Sequence, residues 1–159
     1  MKKIVFFVMS IVLIVLLCSV SAMAIEIKDL IYCTDIPEKY EEIEPVSNHF
    51  VHGDRFAIIV PFGGIILIEE PERKVEIETF TTLVLPNGIK IYNSVSSGLL
   101  TRASPEFDPN RAFYYQFINA LPWMPIGEYT VTVRICDYLN GTEDSITSTF
   151  YIHALPGDC

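Results

Sequence analysis

The sequence predicts an all-β fold, a two-sheet antiparallel sandwich of about seven or eight strands. Three observations carry this. Apolar and polar residues alternate along successive stretches, nothing beyond residue 25 keeps a helical period, and Pro, Gly and Asn punctuate the chain at short intervals. The 159 residues are 50% hydrophobic, too apolar for a disordered chain. No strand–helix alternation is present, which excludes a parallel α/β sheet.

The first 24 residues read as a leader rather than as fold. Met1-Lys2-Lys3 is a short positive start, and the 22 residues from Ile4 to Ile25 carry no charge. Ala22-Met23-Ala24 supplies the small-x-small pattern of a cleaved signal peptide. The rival reading is an uncleaved anchor, since 22 uncharged residues at ~1.5 Å each span a bilayer. Lys2 and Lys3 stay inside in either case, so the remainder is expected outside, secreted or at the cell surface. Cys18 follows the large Leu17, whereas lipidation favours a small residue there.

Residues 25–159 then form one domain, which should bury roughly two-thirds of its unfolded surface and has no room for a second. All 20 acidic residues lie in this part; with Lys2 and Lys3 removed they face nine basic ones, a net charge of −11. Such a surface disfavours nucleic acid, whose phosphates need a basic face.

The strands follow in order. Ile25 to Cys33 is a first strand, Asp35 to Pro45 an acidic loop, and Asn48 to Val51 a short extension of the first strand. Arg55 to Phe62 sets Phe56, Ile58, Val60 and Phe62 on one face and Arg55, Ala57, Ile59 and Pro61 on the other. Pro61 cannot donate to a ladder, so it marks an edge, a bulge or the strand's end, and Gly63-Gly64 adds a bend. Ile65 to Ile68 resumes extended structure before a polar loop. Lys74 to Leu85 is a long strand that returns through Asn87-Gly88 to Ile89–Asn93; Asn-Gly favours a type I′ hairpin. A short strand is expected near Leu99 to Arg102 and an aromatic one from Ala112 to Ile118. Tyr129, Val131, Val133 and Ile135 point inward while Thr130, Thr132, Arg134 and Cys136 point outward. Asn140-Gly141 turns the chain into a last strand with Ile146, Phe150 and Ile152 on one face.

Pro125-Ile126-Gly127-Glu128-Tyr129-Thr130-Val131-Thr132-Val133 resembles the P-x-G-x-Y-x-V-x-V stretch that ends many immunoglobulin-like and fibronectin-like domains of prokaryotic secreted and cell-surface proteins. Phe50-Val51-His52-Gly53-Asp54 is similar to the F-x-x-G-D entry to their second strand. The resemblance implies an immunoglobulin-like sandwich in which Gly127 permits a tight corner. There Tyr129 buries its ring while its hydroxyl reaches back to loop backbone. The strand order of such folds also implies that Cys33 and Cys159 lie at one pole and Cys136 at the other. It therefore makes Cys33–Cys159 the candidate disulfide and leaves Cys136 free. The likeness carries a fold and no chemistry.

No catalytic group, cofactor or metal site is expected. His49 and His52, three apart, would face opposite ways in a strand, and His153 has no neighbour in sequence. Asp35, Glu38, Glu41, Glu42 and Glu44 form one acidic run, and Glu69, Glu70, Glu72, Glu76 and Glu78 another. Calcium is conceivable for acidic loops of an exported domain, with Asp108-Pro109-Asn110 and Asp137 to Asp144 as candidates, but no calcium loop motif supports it, and solvated charge is the default. Neither G-x-S-x-G nor a phosphate loop occurs. Asn140-Gly141-Thr142 is a glycosylation sequon at an expected hairpin tip. Tyr114 and Trp123 are the candidate binding aromatics; for Trp123 the favoured reading is a plug at the end of the sandwich.

The expected function is that of a non-catalytic exported module that binds a protein partner or its own copies. The routes are β-augmentation at an edge strand or aromatic contacts at a loop end. The first strand could pair at home or be donated to a neighbour. The rivals are a membrane-anchored accessory subunit of a surface complex and a carbohydrate-binding or enzymatic domain with a loop-built site.

Overall fold

A computed structural model of the protein describes residues 24–36, 42–69, 73–93 and 100–155. Most of the expected leader helix and Cys159 lie outside these residues. The strands are β1 (Glu26–Ile27), β2 (Ile31–Cys33), β3 (His49–Val51), β4 (Arg55–Gly63), β5 (Lys74–Val84), β6 (Lys90–Asn93), β7 (Leu100–Arg102), β8 (Ala112–Asn119), β9 (Gly127–Asp137) and β10 (Thr142–His153). They form two sheets packed face to face. In one, β4 lies between β8 and the β1/β2 pair; the other runs β3-β10-β9-β5 and ends on β6 and β7. The all-β sandwich is therefore as the sequence predicts, with short extra strands where long ones were expected whole.

The alternation in β9 has the expected effect: Tyr129, Val131, Val133 and Ile135 are fully buried. From the facing sheet, Phe56, Ile58, Val60 and Phe62 of β4 join the same core. The other face of β4 is also dry, because Cys33, Ala57 and Ile59 form a second cluster with Ile36, Ile43, Phe113 and Phe117. The segment after β2 thus covers the outside of this sheet with its two isoleucines. Gly127 takes φ +134°, and the Tyr129 hydroxyl donates to the Pro125 carbonyl at 2.6 Å while its ring stacks on Phe150. This is the tyrosine corner implied by P-x-G-x-Y.

Four local expectations are corrected. Residues 49–51 do not extend the first strand; β3 joins the opposite sheet, parallel to β10, with His49 opposite Tyr151. Three residues fit either partner, and burying Phe50 among the core aromatics decides between them. The first strand is broken into β1 and β2, with a one-residue slip between Ile27↔Phe62 and Ile31↔Ile59. Pro61 sits at this bulge in a central strand, so its missing N–H costs no regular ladder bond. Ile65 to Ile68 forms only a bridge from Ile68 to Lys74. The β5–β6 turn is not type I′, since among the described residues only glycines have positive φ, and Asn87 is not one of them. Pro86 and Asn87 are its central pair, closed by Gly88 N–H to Leu85 at 2.9 Å, and Gly88 alone takes φ +82°.

Burial pushes the Tyr32 and Tyr129 hydroxyls and the Cys33 and Cys136 thiols above their ordinary ionisation ranges. The folded state thus holds these protons more tightly than the unfolded chain does. Their contribution is complete at neutral pH and is lost as pH rises from about 8.5, the unfolded thiol value, through and beyond about 10. The melting temperature should fall steadily from about pH 9 to pH 11 and recover on return to neutrality. A flat alkaline profile would contradict this.

Candidate binding surface

A sheet margin exposes unpaired N–H and C=O groups, and proteins usually cap it. Three margins here are capped. Along β1, Ile25 N–H donates to Thr142 Oγ1 at 3.3 Å and Ile27 N–H to Asp144 Oδ2 at 2.8 Å. Along β2, the Tyr32 carbonyl accepts Val46 N–H at 2.8 Å. Along β3, His49 N–H meets Ser47 Oγ at 3.2 Å and Val51 N–H meets Asp54 Oδ2 at 2.8 Å.

β8 differs. The Pro61 carbonyl accepts from Lys28 N–H at 2.9 Å, so the odd residues of β4 address the β1/β2 side. Backbone groups alternate sides along a strand, so the even residues of β4 address β8. The register Phe62↔Ala112 to Phe56↔Ile118 then turns Ala112, Tyr114, Gln116 and Ile118 toward β4. It turns Phe113, Tyr115, Phe117 and Asn119 outward. The Asn119 carbonyl accepts Leu121 N–H at 3.0 Å, but among the described residues nothing meets the outward groups of Phe113, Tyr115 and Phe117. No charge, Pro or Gly interrupts residues 112–119. Tyr115 is 50% exposed on the outer face, edge-on to Phe117, whose ring lies under the Arg55 guanidinium at 3.9 Å.

Beneath β8, between the sheets, lies a cavity of about 410 Å³. Phe62, Ile77, Phe107 and Tyr114 are among its walls, and the loop before β8 adds Glu106, Asp108 and Arg111. This size falls within the range of small-ligand pockets, roughly 300–1,000 Å³. Arg73 fixes the loop: its guanidinium donates to the carbonyls of Ser104 (2.7 Å), Pro105 and Phe107 (3.2 Å). Where neighbouring β5 positions are Val75 and Ile77, the inner face continues with Thr79 and Thr81, and the Tyr114 hydroxyl lies 3.1 Å from Thr81 Oγ1.

The predicted site residues fall in separate places. Tyr114 faces the cavity, and Tyr115 is the outward member of that pair. Trp123 is no plug: it is 75% exposed beside the exposed Leu121 and Ile126, because Met124 takes the inward position in the same turn. Cys33 and Cys136 are buried free thiols. Cys136 lies on the outer face as expected but is covered, with its Sγ 3.6 Å from Glu143. Register sets Cys33 toward the pole where β10 ends and Cys136 at the opposite one. Asn140 occupies the β9–β10 turn, half-buried, with its amide 3.4 Å from Thr142 Oγ1. His52 is buried with Nε2 2.9 Å from the Met124 carbonyl, while His49 and His153, distant in sequence, meet on the outer face.

The acidic calcium candidates spend their oxygens on backbone. Asp108 accepts Asn110 N–H at 2.8 Å. Asp137 accepts three N–H groups, from Ile66, Leu139 and Asn140. Glu76 and Glu78 lie on the outer face of β5, where Glu78 accepts from the Tyr138 hydroxyl. Among the described residues no group of three or more His, Cys, Asp or Glu is placed to hold a metal ion.

No protein-family profile and no curated protein matches the chain. Among solved structures, a family 123 glycoside hydrolase from Clostridium perfringens is similar at TM-score 0.47 and 10% identity, over 80% of this chain and 27% of that one. The chain therefore spans about a quarter of that hydrolase. A Niemann-Pick type C2 protein from Japanese carpenter ant is similar at TM-score 0.40 and 10% identity, over 86% of this chain and 96% of that one.

Proposed function

We propose that this protein is a non-catalytic, exported, immunoglobulin-like module that takes an extended strand of a partner protein, or of a second copy, along β8. The observation that carries the reading is the contrast between margins: β1, β2 and β3 are capped, and β8 presents uncapped backbone on an uncharged, aromatic strand. Inward residues of an added strand would continue the row of Tyr114 and Gln116. One of its apolar side chains would then enter the cavity beside Phe62 and Ile77. The leader-like residues 1–24 support export, whether cleaved or kept as an anchor for an accessory subunit.

Tyr115→Pro tests this. It removes an outward N–H and leaves the ladder to β4, which runs through Tyr114 and Gln116, intact. Self-association by light scattering, or capture of a partner identified by mass spectrometry, should weaken by roughly tenfold or more, about the worth of one lost hydrogen bond plus a steric block. The melting temperature should move by only a few degrees. Undiminished association in the variant, or a wild type that binds neither itself nor a partner, would reject the reading.

The cavity favours a second reading, a carbohydrate-binding or enzymatic site built on the 103–111 loop with Glu106, Asp108 and Arg111. That reading predicts a small ligand whose binding survives Tyr115→Pro.

A further inference from the structure

The strand order unites two histidines 104 residues apart in sequence. His49 lies on β3 and His153 on β10, neighbouring parallel strands at the margin of their sheet. Register sets His49 opposite Tyr151, two residues before His153, so the imidazoles meet diagonally on the outer face. Both are exposed, with His49 Nδ1 2.9 Å from His153 Nε2 and the rings 12° from parallel. Tyr151 stacks on His49 at 4.8 Å, and its hydroxyl donates to Glu128, which brings a carboxylate to the same patch. The backbone beneath is fixed: Tyr151 N–H donates to Asn48 at 2.8 Å, and Phe50, between the two histidine-facing positions, is buried in the core.

We infer that His49 and His153 form a two-nitrogen site for a divalent late-transition-metal ion of tetragonal preference, with water completing the shell. In the hydrogen bond one nitrogen offers its lone pair and the other its N–H; an ion takes the place of that proton when the donor ring carries it on its other nitrogen, so each imidazole stays neutral and presents one lone pair. With metal–nitrogen bonds of about 2.0–2.1 Å, two cis ligands of a tetragonal ion sit about 2.9 Å apart, and two ligands of a tetrahedral ion about 3.3 Å. A pair hydrogen-bonded at 2.9 Å can thus take cis positions on a tetragonal ion with little change in nitrogen separation, and imidazole suits Ni²⁺ and Cu²⁺. The exposed rings need only turn about their side-chain torsions to aim at a common point. The net charge of −9 favours a cation in general, and Glu128 does so locally.

The test uses the untagged protein and Ni²⁺, which, unlike Cu²⁺, does not oxidise Cys33 and Cys136. Calorimetry should show saturable binding of one ion per chain. His49→Ala and His153→Ala should each weaken it by at least about tenfold, since loss of an outer partner alone costs that much. In proton NMR the ring signals of His49 and His153 should broaden first, and those of buried His52 should not. No saturable heat, equal affinity in either variant, or broadening centred elsewhere would overturn the assignment. The exposure of both side chains keeps the variants folded, which circular dichroism checks.

Discussion

Phe150→Ala should cost about 3–5 kcal/mol of folding stability, the usual toll for deleting a fully buried aromatic ring. Phe150 has no exposed surface, and its ring meets those of Tyr129 at 5.1 Å, Phe56 at 5.2 Å, Tyr32 at 6.1 Å and Phe50 at 6.3 Å. These residues sit on β9, β4, β2 and β3, so one ring from β10 ties both sheets together. Stacked and edge-on pairs add roughly 0.5–1.5 kcal/mol beyond the buried area. Against a typical total of 5–15 kcal/mol, the variant loses a large share of its stability. Urea unfolding checks this: the midpoint should fall sharply with an unchanged slope. A loss below about 1 kcal/mol would mean that the two sheets are not joined through this cluster.

Asp137→Ala should be of similar size, about 3–5 kcal/mol, for a different reason. The carboxylate is 1% exposed. Oδ2 accepts Ile66 N–H at 2.9 Å, and Oδ1 accepts Leu139 and Asn140 N–H at 3.0 and 3.3 Å. It therefore closes the β9–β10 turn and also fastens the segment after β4 to that pole. Alanine leaves three donors without their acceptor, and bonds to a charged acceptor are worth about 1.5–3 kcal/mol each, though not additively. Asp137→Asn keeps one carbonyl oxygen and should cost about half as much. Amide exchange at Ile66 and Leu139 should quicken in the alanine variant before global unfolding does. Unchanged exchange at both would show that the carboxylate is dispensable.

These cases also show what a one-dimensional reading captures. The inward row of β9 and the Tyr129 corner were legible because period-two alternation and P-x-G-x-Y are local signals. The two faces of β4 were sorted correctly, but the burial of the second, under Ile36, Ile43, Phe113 and Phe117, depends on segments distant in sequence. The partner of β3 was not legible, because His49–Val51 is too short to specify a sheet. Asp137 read as one more loop acid; its value comes from Ile66, 71 residues earlier. The β8 margin was equally hidden. The aromatic run from Phe113 to Phe117 announces a strand, and only the capping of β1 and β2 by Val46, Thr142 and Asp144 sets the β8 margin apart from the opposite margin of its sheet.

The central place of β10 has a consequence for how the molecule comes to exist. It fills the slot between β3 and β9 and carries Phe150, so its sheet has a gap until residue 153 is available. Early segments such as β3 have nothing to pair with before then. Closing this sheet therefore rests on a long-range pairing, which makes that step slow. A nascent chain of this kind cannot complete its second sheet before β10 has been made.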